Sequence, residues 1–249
     1  MLPHFSSTTI PLWPVVIQTW GSFVALGFLV GAIAGAWMCK RRGLKSIVVW
    51  DALGWIILSS MIFARVFFVI FYAPSYFWSH PVEIFYLWQG GMSMMGGLFG
   101  AVAAGLIYFC WKKIDWWQYV DAMIFGLPLG YAIGRIGCFL IHDHPGWPTD
   151  FFLGVRYSDG IIRHDLGLYH SLFGWLLFIV FLILAEKKNR VGIFLEVFLI
   201  TYGAFRFAAD FLRVDDARWL LLTPAQWFGW LLITVGIVMI TKNRNKGPI

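Results

Sequence analysis

The chain has 249 residues, of which 60% are hydrophobic and 13% are charged, and its mean hydropathy is +0.74. Soluble globular proteins carry about 25% charged residues, so this composition excludes a soluble domain and predicts an all-α, polytopic integral membrane protein. The formal net charge is +6 at pH 7, but most basic residues flank apolar runs, so the charge predicts no nucleic-acid partner.

Seven apolar segments predict transmembrane helices, because each approaches the roughly 20 residues that cross a bilayer core. In chain order the predicted spans are 17–39, 48–72, 91–111, 117–141, 169–185, 192–212 and 224–241. The first is not expected to be a cleaved signal, because its basic cluster follows the apolar run. No linker or low-complexity tract interrupts the pattern, so we expect one domain over residues 1–249.

Basic residues predict how the spans are oriented. They follow the first, third, fifth and seventh spans, at Lys40, Arg41, Arg42, Lys45, Lys112, Lys113, Lys187, Lys188, Arg190, Lys242, Arg244 and Lys246. If the spans alternate in direction, all of these residues lie on one side of the membrane. The positive-inside rule then places the N-terminus outside, the C-terminus in the cytoplasm and the loop 142–168 outside.

Three arginines, Arg65, Arg135 and Arg206, lie inside predicted spans. A charge at the bilayer centre costs at least about 2.5–3.5 kcal/mol, so each requires an explanation. Their three spans run in the same direction, and each arginine lies roughly 10–14 Å below the outer end of its helix. If they face one another, they form a cationic cavity suited to a phospholipid phosphate, which guanidinium groups bind bidentately.

The same arginines could instead be structural. Arg206 could pair with Asp210, four residues later on one helix face. The other two could bond to backbone carbonyls, or to Asp121 and Glu196.

A glycine-rich stretch opens the third span, where Gln89 to Gly100 reads QGGMSMMGGLFG. Glycine destabilises an ordinary helix by up to about 1 kcal/mol relative to alanine, but it allows a ligand or another backbone to approach closely. We expect Gly96 and Gly97 to line the mouth of the cavity. Packing against a neighbouring helix is the alternative.

Titratable side chains cluster where the fourth span ends, in the stretch GRIGCFLIHDHPG at residues 134–146. They are Arg135, Cys138, His142, Asp143 and His144, and the far end of the following loop adds His164. Histidine beside a carboxylate can act as a general base near neutral pH, although ordinary loop capping is the structural alternative. The His-Asp-His spacing matches no established metal signature, so no metal is predicted. A small packing role is preferred for Cys138 over a nucleophilic one.

Four segments together resemble a known family. They are Ala64-Arg65, Gln89 to Gly97, Gly134 to Gly146, and Tyr202-Gly203-Ala204-Phe205-Arg206 through Phe211-Leu212-Arg213 with Asp215. In this combination they resemble the prolipoprotein diacylglyceryl transferase family over almost the whole chain. The resemblance implies a seven-span enzyme of the bacterial cytoplasmic (inner) membrane.

The resemblance also implies a reaction. The diacylglyceryl group of phosphatidylglycerol would move to the lipobox cysteine thiol of a prolipoprotein signal peptide, and glycerol phosphate would leave. The implied partners are these two substrates and membrane lipid, without a cofactor. Arg135 would hold the phosphate, Arg206 would support the transition state or thiol activation, and Asp210 would orient Arg206. The further implied catalytic residues are His142, Asp143 and His164, and the further substrate-binding residues are Arg65, Gly96, Gly97, Cys138 and Arg213.

Several positions depart from the family pattern. Met95 replaces a histidine, Cys138 replaces an asparagine, Asp143 shortens a glutamate, and Tyr169-His170 stands where the family has Tyr-Glu. Because methionine cannot accept a proton, we expect a histidine, His142, His144 or His164, to supply the base. Two alternatives remain: a divergent paralogue that transfers lipid to another acceptor, and a non-catalytic phospholipid-binding protein.

Overall fold

The computed structural model describes residues 2–3, 5–13, 15–86, 90–187, 189–214, 218 and 220–243. Of the residues discussed above, Gln89, Lys188, Asp215, Arg244 and Lys246 therefore lie outside the described residues. The α-helices are α1 (Thr19–Arg41), α2 (Ile47–Phe71), α3 (Pro74–Ser79), α4 (Met94–Lys112), α5 (Trp116–Ile141), α6 (Leu166–Ala185), α7 (Ile193–Ala209) and α8 (Pro224–Asn243). Two 3-10 helices occupy Pro81–Phe85 and Asp210–Leu212.

Six of the described helices are long and apolar enough to cross a membrane, namely α1, α2, α4, α5, α6 and α8. The protein is therefore a multi-pass membrane protein built mainly from helices. The predicted sixth span, 192–212, is divided in the structure, because α7 has 17 residues and the chain tightens into a 3-10 turn after it. A seventh crossing and the orientation of the termini stay predictions.

The chain forms two compact units, which are described separately. Unit 1 contains residues 1–42 and 120–249, and unit 2 contains residues 43–119. The single-domain organisation stays a prediction.

One end of unit 1, called the basic end, is joined by ion pairs between helix termini. Arg41 at the end of α1 contacts Glu186, just after α6, at 3.0 Å. Arg42 contacts the buried carboxylate of Asp121 in the first turns of α5 at 2.8 Å. The C-terminal ends of α1 and α6 therefore lie beside the N-terminal part of α5.

Glu196 completes the basic end from the start of α7. Its buried carboxylate pairs with Arg190 and accepts a hydrogen bond of 3.0 Å from Asn243 at the end of α8. Asp121 and Glu196 are thus engaged by residues of this end rather than by arginines of the predicted spans.

The opposite end of unit 1, called the histidine end, carries short strands that were not predicted. β1 (Thr9–Leu12) and β2 (Val15–Gln18) form an antiparallel hairpin. β3 (Pro145–Pro148) and β4 (Val155–Arg156) both pair with β5 (Ile162–Asp165). The loop 142–168 is therefore a small sheet leading into α6, which begins at Leu166 and so three residues before the predicted span.

Close backbone contact holds α1 against α5. A Cβ atom added to Gly130 would lie 2.5 Å from the carbonyl oxygen of Gly27, and one added to Gly27 would lie 2.4 Å from that of Gly130. Both distances are below any ordinary contact, so only glycine permits this approach. In a bilayer such small-residue contacts supply packing where no hydrophobic driving force exists between helices.

Unit 2 packs α4 on α2 through the glycines of the stretch that opens α4. A Cβ on Gly96 would lie 2.4 Å from the carbonyl oxygen of Phe63. Gly97 accepts a hydrogen bond of 3.0 Å from the Ser60 hydroxyl, and Ser93 caps α4 by accepting from the Gly96 amide. These contacts favour a packing role for Gly96 and Gly97, and their part in lining a cavity stays a prediction.

Candidate active site

A buried chain of polar groups crosses unit 1 near its histidine end. Arg206 on α7 donates from Nη1 to Nε2 of His170 on α6 at 3.4 Å, and Nδ1 of His170 contacts the Tyr131 hydroxyl on α5. Because a guanidinium can only donate, Nε2 is the acceptor and Nδ1 carries the proton toward Tyr131. His170 is buried, with 1% of its surface exposed. Its neutral imidazole contacts the Arg206 guanidinium on one side.

Asp210 holds Arg206 from the other side. Its buried carboxylate lies 3.6 Å from Nη2 of Arg206, one helical turn away, and accepts a hydrogen bond from the Thr223 hydroxyl. Thr223 also begins α8 with a capping box, in which its amide donates to Gln226 Oε1 at 3.0 Å and its hydroxyl oxygen accepts from the Gln226 amide at 3.1 Å. The expected Arg206–Asp210 pairing is present in the structure, and α8 supports it.

Arg135 approaches the same chain of groups from α5. Its guanidinium lies over the ring of Tyr131, 5.1 Å from the centroid, and its side chain interacts with the Cys138 thiol one turn later. Arg135, Arg206 and Arg213 all lie close enough to His170 to interact with its imidazole electrostatically. Within the described part of the chain, Arg135 forms no ion pair with a carboxylate, so its charge remains available to an anionic ligand.

His142 links the loop to two other segments of the chain. Its Nδ1 lies 3.0 Å from Asp165, and its Nε2 contacts the carbonyl oxygen of Phe5. Asp165 also accepts from the Tyr157 hydroxyl at 2.8 Å and caps α6 by accepting from the Leu168 amide at 2.9 Å. Both ring nitrogens of His142 are engaged in this network, which favours a structural role over the predicted role as base.

Asp143, His144 and Cys138 form a separate cluster at the end of α5. The Asp143 carboxylate contacts Nδ1 of His144, and one ligand-type atom from each of the three residues lies within 4.8 Å of the others. Cys138 is buried, whereas the side chains of Asp143 and His144 are 37% and 28% exposed. The cluster therefore lies where the buried helix end meets the loop.

His164 lies on β5, within the loop 142–168. Its Nδ1 and the Tyr169 hydroxyl are 2.7 Å apart, and burial lowers the pKa of its imidazole below the ordinary 6.5. The imidazole is therefore neutral at physiological pH, which is the protonation state that a general base needs.

Arg213 is brought to the loop by the backbone. It forms an isolated antiparallel bridge with Gly146, and its amide donates to the Asp210 carbonyl at 3.2 Å. A Cβ on Gly146 would lie 2.6 Å from the Leu212 carbonyl oxygen, so glycine is needed where the two segments meet. The end of α7 and the start of the loop are thus held together.

In unit 2, the Arg65 side chain binds backbone carbonyl groups. Its guanidinium is buried and donates five hydrogen bonds of 2.6–3.5 Å to the carbonyl oxygens of Glu83, Ile84, Tyr86, Gly90 and Gly91. These bonds use all five guanidinium N–H groups. In this conformation Arg65 binds the glycine-rich segment, which favours the structural alternative, and its role in binding substrate stays a prediction. On α4 of the same unit, Met95 is 57% exposed.

A cavity of about 330 Å³ opens at the basic end of unit 1, between the ends of α1 and α6. Its charged lining includes Arg41, Arg42 and Lys187, and the first two are already paired with carboxylates. It lies at the end of the unit opposite the arginine–histidine chain, so we do not assign the chemistry to it.

The structure adds three residues to those predicted for the site: Tyr131, His170 and Thr223. His170 was noticed only as a departure from the family pattern, and nothing in the local sequence links it to a residue 36 positions away. Tyr131 could have been found, because it precedes Arg135 by four residues and so lies on the same helix face. Thr223 could have been found as the start of a Thr-x-x-Gln capping box.

Comparisons with known proteins identify the family of the chain. A family model described as prolipoprotein diacylglyceryl transferase matches residues 7–242. Proteins named phosphatidylglycerol–prolipoprotein diacylglyceryl transferase are similar to the chain. That of Cupriavidus necator is 34% identical, covering 99% of this chain and 95% of the relative. That of Cupriavidus metallidurans is 33% identical over 98% and 96%, and that of Staphylococcus saprophyticus is 32% identical over 98% and 92%.

Proposed function

Because the chain belongs to the prolipoprotein diacylglyceryl transferase family, we propose that it transfers the diacylglyceryl group of phosphatidylglycerol to the lipobox cysteine thiol of a prolipoprotein. Family membership makes it a transferase of lipoprotein maturation. The names of the relatives support the two substrates, and the proposed location is the bacterial cytoplasmic membrane.

The observation that carries the proposal is the pair of arginines in unit 1. Arg206 is fixed on two sides, by His170 and Asp210, whereas Arg135 has no carboxylate partner in the described part of the chain. The leaving glycerol phosphate gains negative charge in the transition state. A preorganised cation in a water-poor site stabilises such a charge by about 2.7–4 kcal/mol per contact.

In the proposed reaction, Arg135 binds the phosphate of phosphatidylglycerol and Arg206 stabilises the charge that develops on it. The acceptor thiol loses its proton, since the thiolate is the nucleophile. The sulfur electron pair forms a bond to the glyceryl carbon, the carbon–oxygen bond breaks, and its electron pair leaves with glycerol phosphate. Asp210, His170 and Tyr131 act as positioning residues.

His164 is the proposed proton acceptor. Its burial-lowered pKa keeps the imidazole neutral, and its Cβ atom lies beside Gly146. His142 is less suited, because its ring nitrogens bind Asp165 and Phe5. This assignment allows the thiol to be activated although Met95 stands where the family has histidine.

The test is mass spectrometry of a lipobox peptide incubated with the purified protein and phosphatidylglycerol. We expect a diacylglyceryl mass gain that requires the peptide cysteine. The Arg135→Ala variant should lose at least about 100-fold in rate, the usual cost of removing one charge-stabilising donor. Arg163→Ala is the matched control, because Arg163 forms an exposed ion pair with Asp159 in the loop.

The outcomes separate the alternatives. A peptide that gains no mass, although the folded protein retains phosphatidylglycerol, would indicate a different acceptor or a non-catalytic lipid-binding protein. Full activity of Arg135→Ala would remove the proposed phosphate site while leaving the transferase function in place.

A further inference from the structure

We propose that Cys138, Asp143 and His144 form a zinc site at the histidine end of unit 1, and that its open coordination position takes the acceptor thiol. The first half of this inference concerns the protein alone. The second half rests on the proposed function, because it names the ligand as the thiol that becomes alkylated.

The donor atoms are already gathered. One sulfur, one imidazole nitrogen and one carboxylate oxygen lie within 4.8 Å of one another. With metal–ligand bonds of 2.0–2.3 Å, the donors of a tetrahedral zinc ion are about 3.3–3.8 Å apart. Binding zinc would bring the most distant donors closer together, and the contact between the Asp143 carboxylate and Nδ1 of His144 would be exchanged for bonds to the metal.

The backbone explains why these residues meet. Cys138 lies in the last turn of α5, which ends at Ile141. His142 then takes a left-handed conformation, with φ of 53°, and turns the chain so that the next two residues lie near the Cys138 thiol. The bonds of His142 to Asp165 and Phe5 fix this turn, so the cluster is held by a rigid support outside it.

The set of donors selects the metal. Thiolate and imidazole favour zinc over magnesium or calcium, which prefer oxygen ligands. Zinc sites that only stabilise structure have four protein ligands, whereas catalytic ones have three and keep one position open. Here three donors are present, and two of them are partly exposed, so a further ligand can reach the ion.

The surrounding charges are compatible with such an ion. The Cys138 thiolate and the Asp143 carboxylate together balance the two positive charges of zinc. The side chains of Trp20 and Arg135 also interact with the thiol, and Arg135 adds a positive charge that weakens cation binding. Its nearness to the cluster places the proposed phosphate ligand beside the metal, as the reaction requires.

A zinc ion at this site would deprotonate the acceptor thiol, which Met95 cannot do. A thiol that coordinates a metal ion is deprotonated at neutral pH, so the acceptor thiol would release its proton to His164 or to water on binding. The bound sulfur then forms the bond to the glyceryl carbon, and the carbon–oxygen electron pair leaves with glycerol phosphate. Zinc is neither oxidised nor reduced in this step.

The test measures metal binding without catalysis. The full chain in detergent is stripped with a chelator, incubated with Zn²⁺ alone, freed of excess and analysed for metal content. We expect about one zinc ion per chain, as for a three-residue catalytic site. Cys138→Ser and His144→Gln should each weaken binding by more than the roughly 10–100-fold that loss of an outer partner costs.

Cys110→Ser is the matched control, because Cys110 is an exposed cysteine of unit 2 and its replacement should leave zinc binding unchanged. Co²⁺ provides a second readout. A sulfur-to-cobalt charge-transfer band that disappears in Cys138→Ser, with the variant still folded by circular dichroism, would identify the thiolate ligand. His144→Gln keeps the thiol and covers the case in which Cys138→Ser does not fold.

Activity then tests the second half of the inference, namely that the zinc ion binds the acceptor thiol. If transfer to the lipobox peptide is lost on chelation and restored by Zn²⁺, the metal holds the acceptor. Zinc bound at the cluster in a protein that never lipidates the peptide would refute the proposed function but not the site. Transfer by a protein that neither contains nor binds zinc would refute the site but not the function. A covalent lipid on Cys138 without zinc would also overturn it, in favour of a cysteine nucleophile.

Discussion

Arg206 shows how one charged side chain is held ready inside a membrane helix bundle. Its guanidinium lies between the imidazole of His170 and the carboxylate of Asp210, and Asp210 in turn binds Thr223. These contacts orient the guanidinium before any substrate binds. The charge can then stabilise a transition state without reorganisation.

Replacing Asp210 with asparagine should therefore act through Arg206. The change keeps the shape of the side chain but removes its charge, and a small displacement of a catalytic group can cost about 100-fold in rate. We expect kcat for peptide lipidation to fall by that order, with a smaller change in KM. Asp159→Asn, the same substitution in an exposed ion pair, should have little effect, and equal activity of the two variants would contradict the positioning role.

The environment of His164 predicts the pH dependence of the reaction. Burial lowers the pKa of its imidazole below 6.5, so protonation, which abolishes its action as a base, occurs only at a pH below that value. We expect kcat/KM to be flat through neutral pH and to fall in acid with a midpoint under 6.5. A midpoint unchanged in His164→Gln would assign the base to another group.

Sequence reasoning proposed the charged residues of this candidate site but not the neutral ones between them. Arg135, Arg206 and Asp210 were predictable because charges in apolar helices are costly and so stand out. His170 was not predictable, since a single histidine in an apolar helix has no local signature. Its partners also come from other helices. Arg65 was predictable as an unusual residue, but its five backbone acceptors depend on a loop fold that its sequence does not specify.

At the scale of elements, the loop 142–168 is a folded part of the protein. His142 connects it to the N-terminal segment through Phe5 and to α6 through Asp165. The short strands were missed because two to four residues offer too little alternation to indicate a strand. The helices were found to within a few residues, because long apolar runs are the strongest signal available from sequence.

Loss of His142 should destabilise this loop more than it impairs chemistry directly. His142→Ala removes a buried hydrogen bond to a carboxylate, and such bonds contribute about 1.5–3 kcal/mol. We expect that loss in the free energy of unfolding, measured by denaturant titration in detergent. His80→Ala, at an exposed position of unit 2, should leave stability nearly unchanged, and equal loss in both variants would contradict the structural role of His142.

The glycines of α4 predict a second difference in stability. A Cβ on Gly100 would lie 2.7 Å from the Ser59 carbonyl oxygen, whereas one on Gly105 would meet only Ile56, at 3.9 Å. Gly100→Ala should therefore destabilise the helix pair by about 1–3 kcal/mol, the usual cost of overpacking. Gly105→Ala, in the same helix, should be neutral or stabilising. Thermal unfolding of both variants measures this, and similar melting temperatures would refute the packing role.

At the scale of the whole molecule, the distribution of basic residues predicts its orientation. Single cysteines introduced at Asp159, in the loop, and at Lys187, beside α6, should differ in their reaction with a membrane-impermeant maleimide on intact cells. These variants are built in a chain whose three natural cysteines are replaced by serine. We expect labelling at position 159 and protection at position 187 until the membrane is opened. The reverse pattern would overturn the predicted topology.

The basic end of unit 1 also has a consequence for how the protein meets its lipid surroundings. The arginines counted by the positive-inside rule are partly neutralised after folding, because Arg41 and Arg42 pair with Glu186 and Asp121. In the folded chain these two positive charges are therefore balanced locally by carboxylates. A folded protein with these pairs should attract anionic lipid head groups less than its count of arginines suggests, since each unpaired cation near the surface contributes about 1 kcal/mol. Among the residues that the structure describes, the lysines at this end form no ion pair, and they would then mainly select the annular lipid.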